Sequence, residues 1–193
     1  MKKFSILITG TRPLIMHNGQ LADEFNPIVL EIKKLTAKKG TKRTEDDRWE
    51  LRRLEWMGSL YYDNEFGPYI PGLSVEASLK ESARLTRRGK DIERGVRITS
   101  DINPIAYSGP REKDDLYKDP NFVFSAVVRN QSSRITRTRP IFREWAAEAE
   151  GIYDPALVDL PALTGFAQSA GLYVGLCDWR PRYGTFDAEI TEL

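Results

Sequence analysis

Cysteine and histidine each occur once in the 193 residues, as Cys177 and His17. A single cysteine excludes an intrachain disulfide, and one of each excludes a zinc site of the usual Cys/His kinds. Long apolar runs are missing as well: none reaches the roughly 18 residues that a membrane helix needs. The opening MKKFSILITG starts like a secretory leader, but its apolar stretch is short, turns polar at Thr9 and is followed by no small-residue cleavage site. The Gly-rich stretches lack the Lys-Ser/Thr pair of a nucleotide-cradling loop. These absences predict a soluble cytoplasmic protein with no metal, no cofactor and no membrane partner. A surplus of one sign of charge is also lacking. Lys and Arg number 29 and Asp and Glu 28, leaving +1, so any attraction for a polyanion must come from clustering.

What is present suits one domain with insertions. Forty per cent of the residues are hydrophobic, enough for a core. Phe4 to Thr9 alternates weakly and reads as a strand; residues 14–19 read as a second extended piece ending in an Asn-Gly turn. Asn26 caps a helix with Pro27 in its first position. The lysines and arginines around Gly40 predict a mobile basic loop. A second helix starts near Thr44, with Asp46 and Asp47 in its first turn and Trp49, Leu54, Trp56, Met57 and Leu60 spaced to pack it. Residues 26–62 thus form a helical insertion. After a short strand at Tyr69-Ile70, Pro71-Gly72 breaks the chain. Ser74 then caps a helix to about Arg88, with Gly89 closing it. Strands follow at 96–99 and 122–128, separated by a polar loop at 108–121. Asp159 caps a last helix to Ala170, 172–175 is extended, and Phe186 to Ile190 closes the fold. Strands and helices interleave irregularly, which predicts an α+β protein with an antiparallel sheet.

Three stretches carry the chemistry. The helix after Gly72 bears Lys80, Arg84, Arg87, Arg88 and Lys90, placed for phosphates or simply for a solvated helix face. Residues 129–143 hold Arg129, Arg134, Arg137, Arg139 and Arg143 and no acid. They suit an exposed β-hairpin arm that grips a backbone without reading sequence, or a ribbon whose arginines pair with acids elsewhere. The loop 175–184, bounded by Gly175 and Gly184, carries Trp179, Arg180, Arg182 and Tyr183. These are stacking faces and forked donors suited to unpaired bases and phosphates, unless Trp179 packs on the core. Lys38, Lys39, Lys42 and Arg43 add a fourth basic group. Catalysis finds little: His17 reads as a turn residue, Cys177 as a small buried one, and the acids of 112–119 as a solvated loop.

Two motifs resemble those of the RAMP superfamily, which includes the backbone subunits of CRISPR effector complexes. Tyr69-Ile-Pro-Gly-Leu-Ser-Val-Glu-Ala-Ser-Leu-Lys-Glu-Ser-Ala-Arg84 is similar to that family's strand, Ile-Pro-Gly turn and basic helix. Gly171-Leu-Tyr-Val-Gly-Leu-Cys-Asp-Trp-Arg-Pro-Arg-Tyr-Gly-Thr-Phe186 resembles its C-terminal glycine-rich loop. The resemblance implies an RRM/ferredoxin-like antiparallel sheet with helices on one face, here with the helical insertion 26–62 and a thumb-like arm at 129–143. It implies a filament of copies, head to tail along single-stranded RNA or DNA, with other CRISPR-type effector subunits as further partners. Arg12, Lys80, Arg84, Arg180 and Arg182 would then face phosphates, and His17 would lie close to the strand. Two alternatives stay open. One is a metal-independent endoribonuclease using His17, or the loop residue Asp101, for which a turn-forming Asp is the plain reading. The other is a mimic that caps or inhibits an effector complex.

Overall fold

The computed structural model describes every residue except 39, 131 and 132, and only the backbone at 40, 129, 130 and 133. From the N-terminus the elements are β1 (Lys2–Gly10), β2 (Leu14–Ile15), α1 (Pro27–Ala37), α2 (Glu45–Ser59), β3 (Tyr62–Asp63), β4 (Gly67–Pro71), α3 (Gly72–Arg84), α4 (Gly89–Gly95), β5 (Val96–Ile98), β6 (Ile102–Pro104), α5 (Lys113–Lys118), β7 (Val123–Asn130), β8 (Ser133–Phe142), β9 (Ala146–Tyr153), α6 (Leu160–Ser169) and β10 (Phe186–Glu192). This is an α+β architecture with antiparallel sheets. Two compact units emerge: residues 1–15, 62–109 and 142–193 form the first, and residues 16–61 with 110–141 the second.

The first unit is built on a four-stranded antiparallel sheet of order β10-β1-β9-β5. The period-2 alternation of β1 sends Phe4, Ile6 and Ile8 to one face, where all three are fully buried. Burial of each contributes about 1.5–3 kcal/mol. Ala147, Ala149, Phe186 and Ala188 extend that face, and α3 and α6 pack against β5 and β10. On the other face Leu7, 43% exposed, is paired with Glu189 on one side and Glu148 on the other; Ser5 opposes Glu150, and Thr9 opposes Asp187. The open face is therefore acidic around residues 5–9, while Lys3 and Arg97 stand at its other end, both paired with Ile152. A small sheet of order β3-β4-β6 lies alongside in sequence. Buried Asn103 ties it by donating to the carbonyls of Ile70 (2.9 Å) and Ser100 (3.1 Å).

Several local expectations change here. Residues 146–153, for which the sequence predicts no element, form β9, the strand between β1 and β5. Its inward positions are Ala147, Ala149, Gly151 and Tyr153, so its alternation lacks the large aliphatics that announce a strand. α3 begins at Gly72 rather than Ser74 and ends at Arg84. Arg87 then takes a left-handed conformation (φ 63°), and Gly89 opens α4 instead of closing α3. A Cβ at Gly89 would stand 2.5 Å from Arg84 Cγ, so close approach, not a turn, uses this glycine. Leu85, the residue after α3, is 64% exposed. Residues 170–174 are not extended but continue α6 as a wide helical turn, closed by the Gly175 N–H donating to the Ala170 carbonyl at 2.7 Å.

In the second unit Asn26 and Thr44 cap α1 and α2 as expected. Thr44 Oγ1 accepts from the Asp47 N–H at 3.1 Å, and Asp47 reaches back to the Thr44 N–H at 3.0 Å, a reciprocal capping box. Thr44→Ala is expected to cost about 1 kcal/mol in a urea titration. Trp56 anchors the unit: it is fully buried, donates from Nε1 to the Phe122 carbonyl (2.9 Å) and lies 5.5 Å from the Tyr117 ring. Trp49, expected to pack, is 54% exposed under the Arg52 guanidinium. The polar stretch 108–121 holds α5, whose Leu116 is fully buried; six residues are too few for a helical period to show. Of the basic stretch expected as a loop, residues 33–37 belong to α1 and Gly40–Lys42 form a 3-10 turn. Arg43 donates to the carbonyls of Thr36 and Lys38, and Lys38 pairs with Asp47 at 2.6 Å. Asn18 caps a single 3-10 turn over Gly19–Ala22 rather than forming an Asn-Gly turn. The Arg-rich stretch 129–143, expected to form a hairpin arm by itself, mainly supplies one strand, β8, whose antiparallel partner is β7, the strand expected at 122–128. Among the described residues no helix is long and apolar enough to cross a membrane.

Candidate functional site

The end of β1 and the glycine-bounded loop 175–184 are laced together by backbone bonds in the first unit. The Thr11 and Arg12 amides donate to the Thr185 carbonyl (2.9 and 3.3 Å), Gly184 N–H to Pro13 (2.8 Å) and Asp178 N–H to Ile15 (2.9 Å). The two loop ends close on each other through Leu176 N–H donating to Gly184 at 2.8 Å. From behind, Ser78 Oγ on α3 donates to the Gly175 carbonyl at 2.9 Å, and Trp145 Nε1 donates to the Arg12 carbonyl at 2.9 Å. Small buried residues of α3, Ser78 and Ser82, let it approach this loop and α6; Ser82 Oγ donates to the Phe166 carbonyl at 2.8 Å.

Gly184 requires its identity twice over. Its φ is +70°, and a Cβ would sit 2.1 Å from the Leu176 carbonyl oxygen. The strained turn between the glycines also places Cys177 (φ 62°) and Trp179 (φ 56°) in left-handed conformations. Trp179 is 37% exposed, its ring 6.0 Å from that of Tyr183. Arg180, Pro181 and Arg182 are exposed beside it, and Arg12 reaches the Arg182 carbonyl at 3.4 Å. An open groove of about 880 Å³ runs from Arg12 and Pro181 along β10, flanked by Gln168 and Leu172. Burial pushes the Cys177 thiol up to about 12, so it holds no thiolate at neutral pH.

Arg12, Trp179, Arg180 and Arg182 are thus brought together. The helix cations form a different picture. Lys80 pairs with Glu93 (2.7 Å), Arg84 with Glu81 (2.7 Å) and Arg88 with Asp91 (2.9 Å), Arg88 also lying over Phe166. The Lys80 hydrogen bond, and then its charge, hold Glu93 below the usual carboxylate range. Arg87 is exposed and, among the described residues, has no acidic partner. Asp101 lies exposed in the turn between β5 and β6, its carbonyl accepting from the Gly72 N–H at 3.0 Å.

In the second unit Arg134 and Lys42 are exposed, whereas Lys38 and Arg43 serve the joint between α1 and α2. Lys39 and the side chain of Arg129 lie outside the described residues. Arg137 and Arg139 share one side of β8 and line a cavity of about 350 Å³ with His17 and Glu55. Glu55 was missed from sequence. It is 4% exposed and accepts from Arg137 Nη1 (2.5 Å) and from the Thr138 amide (3.1 Å). A lone acid inside Leu54-Glu55-Trp56-Met57 was its signal, because a carboxylate in an apolar run needs a partner.

Fold and site together define an α+β protein whose main sheet ends in a rigid loop bearing Trp and Arg. Compared with known proteins, the chain matches no family model and no curated protein.

Proposed function

We propose that this protein binds single-stranded nucleic acid at the loop 175–184 and the end of β1, as a RAMP-type backbone subunit with an RRM/ferredoxin-like core. The strand order of the main sheet supports that core. Counting only its four strands, the chain runs β-α-β-β-α-β, with α3 after the first and α6 after the third, in spatial order fourth, first, third, second. The RNA-binding reading rests on one observation: a partly exposed Trp179 between Arg180, Arg182 and Arg12, on a loop already fixed by backbone bonds at both ends. A prefixed loop adds little ordering cost on binding. Stacking on an indole face tolerates any base, and guanidinium forks take phosphates. The acidic open face of the sheet disfavours the strand there, which leaves the loop rim as its track. Subunits lined up along the strand would engage it repeatedly, in company with other effector subunits or with copies of this chain.

Fluorescence anisotropy with a labelled single-stranded oligonucleotide tests the reading. Each stacked base contributes about 1–3 kcal/mol, so Trp179→Ala is expected to weaken binding roughly 5- to 150-fold. Arg182→Gln should reduce the salt dependence by about 0.7 in the log–log slope, one phosphate contact. Affinity that is flat with salt and indifferent to Trp179→Ala would refute it. Size and absorbance at 260 nm of the purified protein report assembly on co-purified strand.

A further inference from the structure

The second unit carries a site that the strand-binding reading does not use. We infer that the cavity lined by His17, Arg137 and Arg139 binds a phosphate group carried on a small, partly apolar body. Residues 137 and 139 are two apart on β8, so their side chains leave the same side about 7 Å apart. Met16 N–H donates to the Pro140 carbonyl at 3.1 Å, which brings the next residue, His17, alongside. Glu55 sits behind. Its two oxygens are engaged by Arg137 Nη1 and the Thr138 amide, so it fixes the guanidinium of Arg137. Forked donors of this kind match phosphate oxygens. Val29 and Ile32 of α1 supply an aliphatic wall. A volume of about 350 Å³ with an apolar wall and a few converging polar groups has the make-up of a small-ligand site. A single nucleotide satisfies both halves, phosphate on the arginines and base on the aliphatic wall.

Calorimetric titration of the full chain with AMP, with adenosine as the phosphate-free control, tests the site. AMP is expected to bind and adenosine not. Arg139→Gln, which leaves the Glu55–Arg137 pair in place, should weaken AMP about tenfold or more, with an unchanged thermal melt. Arg134→Gln, on the same hairpin but outside the cavity, and Trp179→Ala, in the other unit, should leave AMP affinity as it is. The last variant separates this site from the strand site. If AMP competes with a bound oligonucleotide, the occupant is a nucleotide of the strand; if both bind at once, it is a free phosphorylated small molecule. No AMP binding at millimolar concentration, or equal affinity in wild type and Arg139→Gln, would overturn the inference. So would oligonucleotide cleavage lost in His17→Ala without any AMP binding, which would make the cavity a hydrolytic site.

Discussion

Gly184→Ala is expected to lower the stability of the first unit by on the order of 2–4 kcal/mol and to abolish strand binding with it. Two costs add. An alanine at φ +70° pays for its left-handed backbone, and its Cβ would press on the Leu176 carbonyl oxygen, which already accepts no slack because Leu176 N–H is bonded to Gly184 across the loop neck. Backbone cannot rotate away as a side chain can. Relief must open the neck, which releases the Gly184–Pro13 bond and with it the register between Trp179 and Arg12. Thermal melts should fall by about 5–15 °C for a chain of this size. Gly165→Ala is the matched control: no atom lies within 4 Å of its added Cβ, and it sits in α6. There alanine should be neutral or stabilising by up to about 1 kcal/mol. Equal melts for the two variants would show that the loop neck is not the constraint described.

Glu55→Ala is expected to destabilise the second unit by about 2–4 kcal/mol. Removing the carboxylate strands a buried Thr138 amide and leaves Arg137 without its counter-charge. Because Arg137 is itself partly exposed, water recovers some of that charge, which keeps the figure below the full penalty for a buried pair. Glu55→Gln retains an acceptor for the amide and should lose less. Replacing both partners, Glu55→Leu with Arg137→Met, should recover most of the loss, since nothing unpaired remains. Urea denaturation distinguishes these cases. A double variant no more stable than Glu55→Ala would mean that packing, not pairing, sets the cost.

Elements with local signatures were legible in the sequence. Asn26-Pro27, Thr44 with Asp47 and Asp159 each announced a helix start through their own side chains. β1 and β10 were readable as strands, whereas the arginines of 129–143 suggested a ribbon without revealing that its partner is the preceding strand β7. β9 was not, because its buried positions before Tyr153 are Ala and Gly and its strand character comes from two neighbours distant in sequence. At the site, Trp179 and its arginines were legible as types, but their fixity was not. That comes mostly from the carbonyls of Pro13, Ile15 and Thr185, which leave no trace in residue identity, with the Thr11–Thr185 hydroxyl contact (2.8 Å) added beside them. Nor could the sequence tell which helix cations have carboxylates beside them. Lys80 meets Glu93 thirteen positions away, through the turn at Arg87.

The carboxylates ringing Leu7 give the first unit a polarity that its charge count conceals. Glu148, Glu150, Asp187 and Glu189 stand within one pleated surface, over distances near the screening length of physiological salt. Their fields therefore reinforce one another. Near these four carboxylates the surface repels a polyanion, and Lys3 and Arg97 at the far end of the face limit how far that repulsion extends. A near-neutral chain thereby acquires a preferred direction of approach.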